Sequence, residues 1–309
     1  MRSNIACFDY ADKASVREEL QRIVMGKFAA RALENNADIL KCVIPEIENC
    51  IGFEQQSVHH DFDVWTHICR AVGYSLPEPG IRFAMLFHDL GKPDCMYIDS
   101  KNRGHFKGHG ERGRLIAEGI MRRLEFPKNM MNEISWLVYH HDVPIPEDRK
   151  ELKALIRELG VNDLRDLIQC EIADSRARKI EPDQPSTVKL RAALSALNEI
   201  VETGECYEIG QLAVTKRELI DRRLVSSDAE AEQLMNALFE IVLDKPSFNN
   251  RLMLLDIAQK SKSKLEQIEA ERAKAKKEKE EMEKQRRQKG RRAEPVYRKK
   301  QDPRGRKQD

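Results

Sequence analysis

The sequence predicts an all-α fold. Apolar residues recur at spacings of three to five through most of the chain, the mark of one-sided helices. Charged residues make up 34% and aromatics only 6%, a balance that suits helices better than an aromatic-rich β-sandwich. Strands and helices do not alternate, which disfavours a Rossmann or barrel enzyme.

The elements follow in order. Residues 13–34 carry Val16, Leu20, Ile23, Val24, Phe28 and Leu33 on one helical period, with Ser15 as a cap and Glu18 three residues on. A second helix spans about 36–50 and is interrupted at Pro45. His59-His60-Asp61 opens a third, running to Val72. Pro77, Pro79 and Gly80 then break the chain before an apolar helix over 81–90, closed by Gly91 and Pro93. The turn-rich stretch 94–107 leaves room for a small hairpin at best. Helices at 109–125, 128–141, 148–159 and 161–179 are set apart by Pro127, Pro144, Pro146 and Gly160. After a polar break at 181–186, further helices fall near 187–203, 215–222, 228–243 and 247–258.

From Lys260 the composition changes. Residues 260–309 hold 20 Lys and Arg against 10 Asp and Glu, whereas residues 1–259 hold 34 against 42. An acidic body, net −8, therefore precedes a basic tail, net +10. The tail reads as a solvated helix to about Lys289 and a disordered end beyond Gly290. Ile268, Ala275 and Met282 repeat every seven residues, but Arg272 and Lys279 between them make a coiled coil a poor fit.

Seven scattered cysteines with no Cys-x-x-Cys spacing disfavour both a disulfide framework and a zinc ribbon. No basic-then-apolar leader opens the sequence, and no apolar run approaches the roughly 20 residues of a membrane span. A cytoplasmic protein without a membrane partner is the expectation.

All eight histidines lie between positions 59 and 141. His-Asp occurs at His60-Asp61, His88-Asp89 and His141-Asp142, and the second stands apart. It ends the apolar run Ile81 to Phe87 and is followed by Leu90-Gly91-Lys92. A buried helix end bearing an imidazole, a carboxylate and an ammonium has few structural reasons to exist. Adjacent helical side chains diverge by about 100°, so the pair can face two sides of one ion or two different ions. Imidazole with hard oxygen suits manganese, iron, zinc or magnesium.

The runs Gly52-Phe53-Glu54-Gln55-Gln56, His59-His60-Asp61-Phe62-Asp63-Val64-Trp65-Thr66-His67, Phe87-His88-Asp89-Leu90-Gly91-Lys92-Pro93, Gly104-His105-Phe106-Lys107-Gly108-His109 and Tyr139-His140-His141 resemble the HD superfamily of metal-dependent phosphohydrolases. More closely, the chain over about 13–258 resembles the HD-containing part of bacterial CCA-adding tRNA nucleotidyltransferases. The nucleotidyltransferase head is missing, because no Gly-Ser start with a downstream Asp-x-Asp precedes the helical region. The Gly-Tyr-Pro signature of cyclic-di-GMP phosphodiesterases is missing too.

The resemblance implies an HD-domain helical bundle flanked by helical segments. The expected divisions are an N-terminal helical region at 1–55, the HD domain at 56–180, a C-terminal helical region at 181–259 and the charged tail at 260–309. It implies His67, His88, Asp89 and Asp174 as metal ligands, and His109, His140 and His141 as ligands of a second ion, with Asp89 bridging. Lys92 matches a lysine that faces substrate phosphate, and Asp63 would support a ligand or bind a further ion. The bland alternatives are a cap residue for His109 and a helix-dipole contact for His140 and His141. His59, His60 and His105 read as structural or exposed.

The implied activity is hydrolysis of a phosphomonoester or phosphodiester in a nucleotide or at an RNA end, assisted by one or two divalent ions. An RNA-binding HD-fold scaffold without catalysis is the alternative. In either case the basic tail is a candidate RNA contact.

Overall fold

The computed structural model describes residues 12–57 and 59–261, together with Lys274, Glu278, Glu281 and Met282. The chain divides into two compact units, Met1–Glu208 and Ile209–Asp309. The expected tail helix and disordered end fall outside the described residues, apart from those few positions.

The first unit opens with α1 (Lys13–Met25), α2 (Ala29–Asn35) and α3 (Ala37–Val43), followed by a 3₁₀ turn at Pro45–Cys50. The single helix expected over 13–34 is thus two. It breaks at Gly26, and the cap of α1 is Asp12, whose carboxylate accepts from the Ser15 N–H at 2.9 Å. Pro45 ends α3 as the sequence suggests, because proline cannot donate to the preceding turn.

Next come α4 (Val64–Tyr74), α5 (Pro79–Phe87) and a single turn, α6 (Lys92–Cys95). Asp63 caps α4, so the helix starts later than the His59-His60-Asp61 run suggested. Every residue of α5 from Gly80 to Phe87 is buried, Arg82 included. Arg82 is tolerated there because its guanidinium donates to Val24 O at 2.7 Å, Gly26 O at 3.0 Å and Ser75 O at 3.3 Å. Those carbonyls lie at the ends of α1 and α4, which leave acceptors without helical partners.

The expected small hairpin forms as β1 (Tyr97–Ile98) and β2 (Gly104–His105), antiparallel, with Tyr97 opposite His105. Then come α7 (His109–Arg123), α8 (Lys128–His140), α9 (Arg149–Leu159), α10 (Val161–Ala177) and α11 (Pro185–Glu202). The helices α4, α5, α8 and α10 pack around one another, α7 lies against α8, and α9 and α11 cover the outer side of α10. The main core gathers residues such as Leu33, Ile68, Phe83, Phe87, Met121, Val138 and Leu167, all essentially inaccessible. A smaller one joins Leu152, Ile156, Leu164, Ile168, Leu197 and Ile200.

Gly91 brings two helix ends together. A Cβ there would sit 2.4 Å from His109 O and 2.6 Å from Gly113 N, so only glycine lets the start of α7 lie against the end of α5.

The second unit holds a 3₁₀ turn at Ile209–Gln211, α12 (Lys216–Asp221), α13 (Asp228–Asp244), another 3₁₀ turn at Pro246–Phe248 and a helical stretch over 251–261. Thr215 and Ser227 cap the two helices through their hydroxyls. Leu219, Leu238, Val242 and Leu254 are buried within it. Asn249 ties the unit together, accepting from the Ala213 N–H at 2.8 Å and donating to Gln211 O at 2.9 Å. Among the described residues no helix is long and apolar enough to cross a membrane.

Candidate metal centre

Three helices bring ligand-type side chains to one buried point. His67 sits near the start of α4, His88 and Asp89 at the end of α5, and Asp174 in the last turn of α10. His67 Nε2 lies 2.9 Å from Asp174 Oδ1, 3.2 Å from Asp89 Oδ2 and 3.2 Å from His88 Nε2. His88 Nε2 lies 3.2 Å from Asp89 Oδ2 and 3.6 Å from Asp174 Oδ1. One ligand atom from each of the four falls within 4.8 Å of all the others.

A second group shares Asp89. His109, the first residue of α7, and His141, just beyond α8, place Nε2 at 3.5 Å and 3.8 Å from Asp89 Oδ1. Asp89 therefore turns one oxygen to each group, the geometry of a bridging carboxylate. Both oxygens are buried and lack a properly directed hydrogen bond, despite the nitrogens around them.

The tautomers are fixed by the backbone. Nδ1 of His88 donates to Met85 O at 2.7 Å, that of His109 to Phe106 O at 2.8 Å and that of His141 to Val138 O at 2.8 Å. A carbonyl can only accept, so each neutral ring carries its lone pair on Nε2. The Nε2 atoms of His109 and His141 face each other at 3.0 Å. Two lone pairs at that distance repel unless a positive charge is shared between them. The donor set of imidazole and carboxylate accordingly fits divalent ions.

The electrostatics agree. Burial disfavours a charged carboxylate at Asp89, yet His88 and Lys92 hold it well below the usual range. Asp174 is likewise held low against burial by Arg178, His67 and His88. Burial depresses the His88 imidazole, but Asp89 and Asp174 outweigh it and raise it to about 10. The two carboxylates thus demand positive charge, which a proton or a metal cation can supply. His141, pushed down to about 4 by burial and by His88, stays a neutral donor.

The remaining sequence candidates fall around these two groups. Lys92 is buried, with Nζ 2.7 Å from Asp89 Oδ2 and 2.9 Å from Gln55 Oε1, over the Phe106 ring. Asp63 joins neither group. Its carboxylate accepts from the Thr66 N–H at 2.7 Å and fixes the start of the helix that carries His67. His140 also joins neither: its Nδ1 donates to Trp136 O at 2.8 Å and its ring stacks on Trp136. His105 pairs with Asp99 on the hairpin, 3.0 Å away.

Sequence reasoning missed four neighbours. His60 packs edge-on against His67, with ring centroids 5.4 Å apart. Gln55 holds Lys92, Arg178 pairs with Asp174 four residues earlier, and Glu171 is buried one turn before Asp174. Burial and the Asp174 charge push the Glu171 carboxyl well above its usual range. Of these, only the i,i+4 spacing of Asp174 and Arg178 was a readable signal.

Comparison with known proteins bears on the same residues. The HD domain family matches residues 64–179. The CC-adding tRNA nucleotidyltransferase of Thermus thermophilus is 35% identical over 173 residues, covering 53% of this chain and 39% of that protein. The A-adding enzyme of Deinococcus radiodurans is 30% identical over 175 residues, with the same coverage. The multifunctional CCA protein of Psychromonas ingrahamii is 30% identical over 161 residues, covering 48% of this chain and 38% of that one. The chain thus spans less than half the length of these relatives.

Proposed function

We propose that this chain, which carries an HD domain over residues 64–179, is a metal-dependent phosphohydrolase acting on a nucleotide or RNA-terminal phosphate. The observation that carries the reading is the shared carboxylate: Asp89 belongs to both the four-residue and the three-residue group, with one oxygen in each. A purely structural buried carboxylate has no need of four imidazoles arranged on both its oxygens.

Divalent ions held by these groups would acidify water and draw charge from a phosphoryl oxygen. The chain's own residues prepare for this. The carbonyl-bound Nδ1 atoms of His88, His109 and His141 keep their Nε2 lone pairs facing Asp89. Lys92 adds a fixed ammonium beside the centre, where it offsets phosphate charge. Low accessibility strengthens each of these charges by excluding water.

An RNA end is favoured as substrate by the tRNA-directed names of the relatives and by the basic tail. A screen of phosphomonoesters and phosphodiesters, including RNA ends, with manganese, iron, zinc or magnesium supplied, tests the reading. Asp89→Asn keeps the shape and removes the bridging charge, so metal content should fall and activity drop by orders of magnitude. Wild-type protein that binds no divalent metal and hydrolyses none of these esters would leave the scaffold reading, RNA binding without catalysis, in its place.

A further inference from the structure

Gln55 is 2% exposed, and both ends of its side-chain amide are committed. Its Nε2 donates to Phe62 O at 3.1 Å, and its Oε1 accepts from Lys92 Nζ at 2.9 Å. The orientation cannot be reversed. An ammonium only donates and a carbonyl only accepts, so a flipped amide would face donor against donor and acceptor against acceptor.

The backbone behind it is equally fixed. Gly104 of β2 donates its N–H to Gln56 O at 3.0 Å, and a Cβ on Gly104 would sit 2.3 Å from Gln55 O. Gln56 itself has a left-handed φ of 47°. The hairpin thus clamps residues 55 and 56 from one side, while Phe106, just beyond β2, lies under the Lys92 ammonium at 5.3 Å.

Lys92 therefore has two oxygen partners, Gln55 Oε1 and Asp89 Oδ2. The second of these is also the oxygen that His67 and His88 approach at 3.2 Å. An ammonium and a metal ion compete for the electron density of one carboxylate oxygen. With only Asp89 to rest on, a buried ammonium would move fully onto Oδ2 and lower its donor strength. The Gln55 carbonyl takes part of that demand.

We infer that Gln55 is a positioning residue of the metal centre, dividing Lys92 between itself and Asp89 so that Asp89 keeps its donor capacity for the ion. The inference rests on the reading of Asp89 as a metal ligand. Groups that hold a ligand in place typically contribute 10–100-fold to metal affinity, and a neutral amide one residue removed belongs at the lower end.

The test is a mutant cycle read by manganese titration of the metal-free protein, which needs no substrate. Gln55→Leu should weaken manganese binding about tenfold. In a Lys92→Met background the same change should add less than about twofold, because the effect travels through the ammonium. Gln55→Met, close to glutamine in length and shape, should reproduce both numbers, and thermal midpoints identify a variant that has failed to fold. An undiminished affinity in Gln55→Leu, or an equal loss with and without Lys92, overturns the positioning role and leaves the metal-centre reading standing. A wild-type protein without manganese affinity overturns both.

Discussion

On the proposed metal-centre reading, replacing His109 by Ala removes one of three ligands from the second group and none from the first. His109 Nε2 is 3.5 Å from Asp89 Oδ1 and 3.0 Å from His141 Nε2, so its loss leaves two donors where there were three. The four-residue group on Asp89 Oδ2 is untouched. An ion at a concentration one hundred times its Kd stabilises the native state by about 2.7 kcal/mol. For a unit of this size that is a rise of roughly 5–10 °C in Tm. Titrating manganese into wild type should give two ions per chain and the sum of two such rises. His109→Ala should give one ion and about half the shift. The metal-free variant should melt close to wild type, since the two facing lone pairs gain nothing from each other. His140→Ala serves as the control and should keep both ions, because its ring belongs to Trp136. Two ions in His109→Ala, or the loss of one in His140→Ala, would refute the division of ligands.

Other outcomes depend on single contacts. Lys153 is wholly buried, with Nζ 2.7 Å from Glu205, so Glu205→Gln strands an ammonium and should cost about 3–5 kcal/mol in urea unfolding. The bond from Arg149 holds the Glu205 carboxyl below its usual 4.5, so its contribution is complete above that pH and is lost as pH falls through the lowered folded value. The variant should lack that part of the acid-induced loss. Asp63→Ala removes the cap of α4 and should cost about 1 kcal/mol, a fall of a few degrees in Tm, with weaker metal binding through His67. Truncation after Gln259 removes a net charge of +10; RNA binding should weaken and its salt dependence flatten, and an unchanged slope would clear the tail of that role.

The helical fold was readable because periodicity and proline breaks act locally. Pro45 ends α3 as spacing alone predicts. The apolar helix expected over 81–90 is shifted: Pro79, expected to break the chain before it, is the first residue of α5, and the helix ends at Phe87. The split between α1 and α2 was also written in the chain, as Gly26, but a continuous apolar period masked it. The site was legible in a different way. His88 and Asp89 declared themselves through their position after an apolar helix. Asp174 lies 85 residues further on and meets them only through the packing of α10 on α4 and α5, so no local spacing reaches it and family resemblance had to supply it. Gln55 and His60 touch the site through loop geometry that carries no periodic signal.

The different placement of His140 and His141 follows from a rule that links helix ends to ring orientation. His88, His109 and His141 each donate Nδ1–H to the carbonyl three residues earlier, Met85, Phe106 and Val138. His88 and His141 are the first residues past a helix end, where the last carbonyls have no helical N–H to accept. An imidazole placed there satisfies an orphan acceptor and, in the same contact, fixes the tautomer that leaves Nε2 as a donor to metal. His140 is still inside α8, and its Nδ1 reaches four residues back to Trp136, which aims the ring elsewhere. One residue of helix thus separates a ring that faces Asp89 from one stacked on Trp136. Lengthening α8 by a single residue between Val138 and His141 should remove His141 from the second group while leaving the four-residue group intact, a change that the manganese stoichiometry would report.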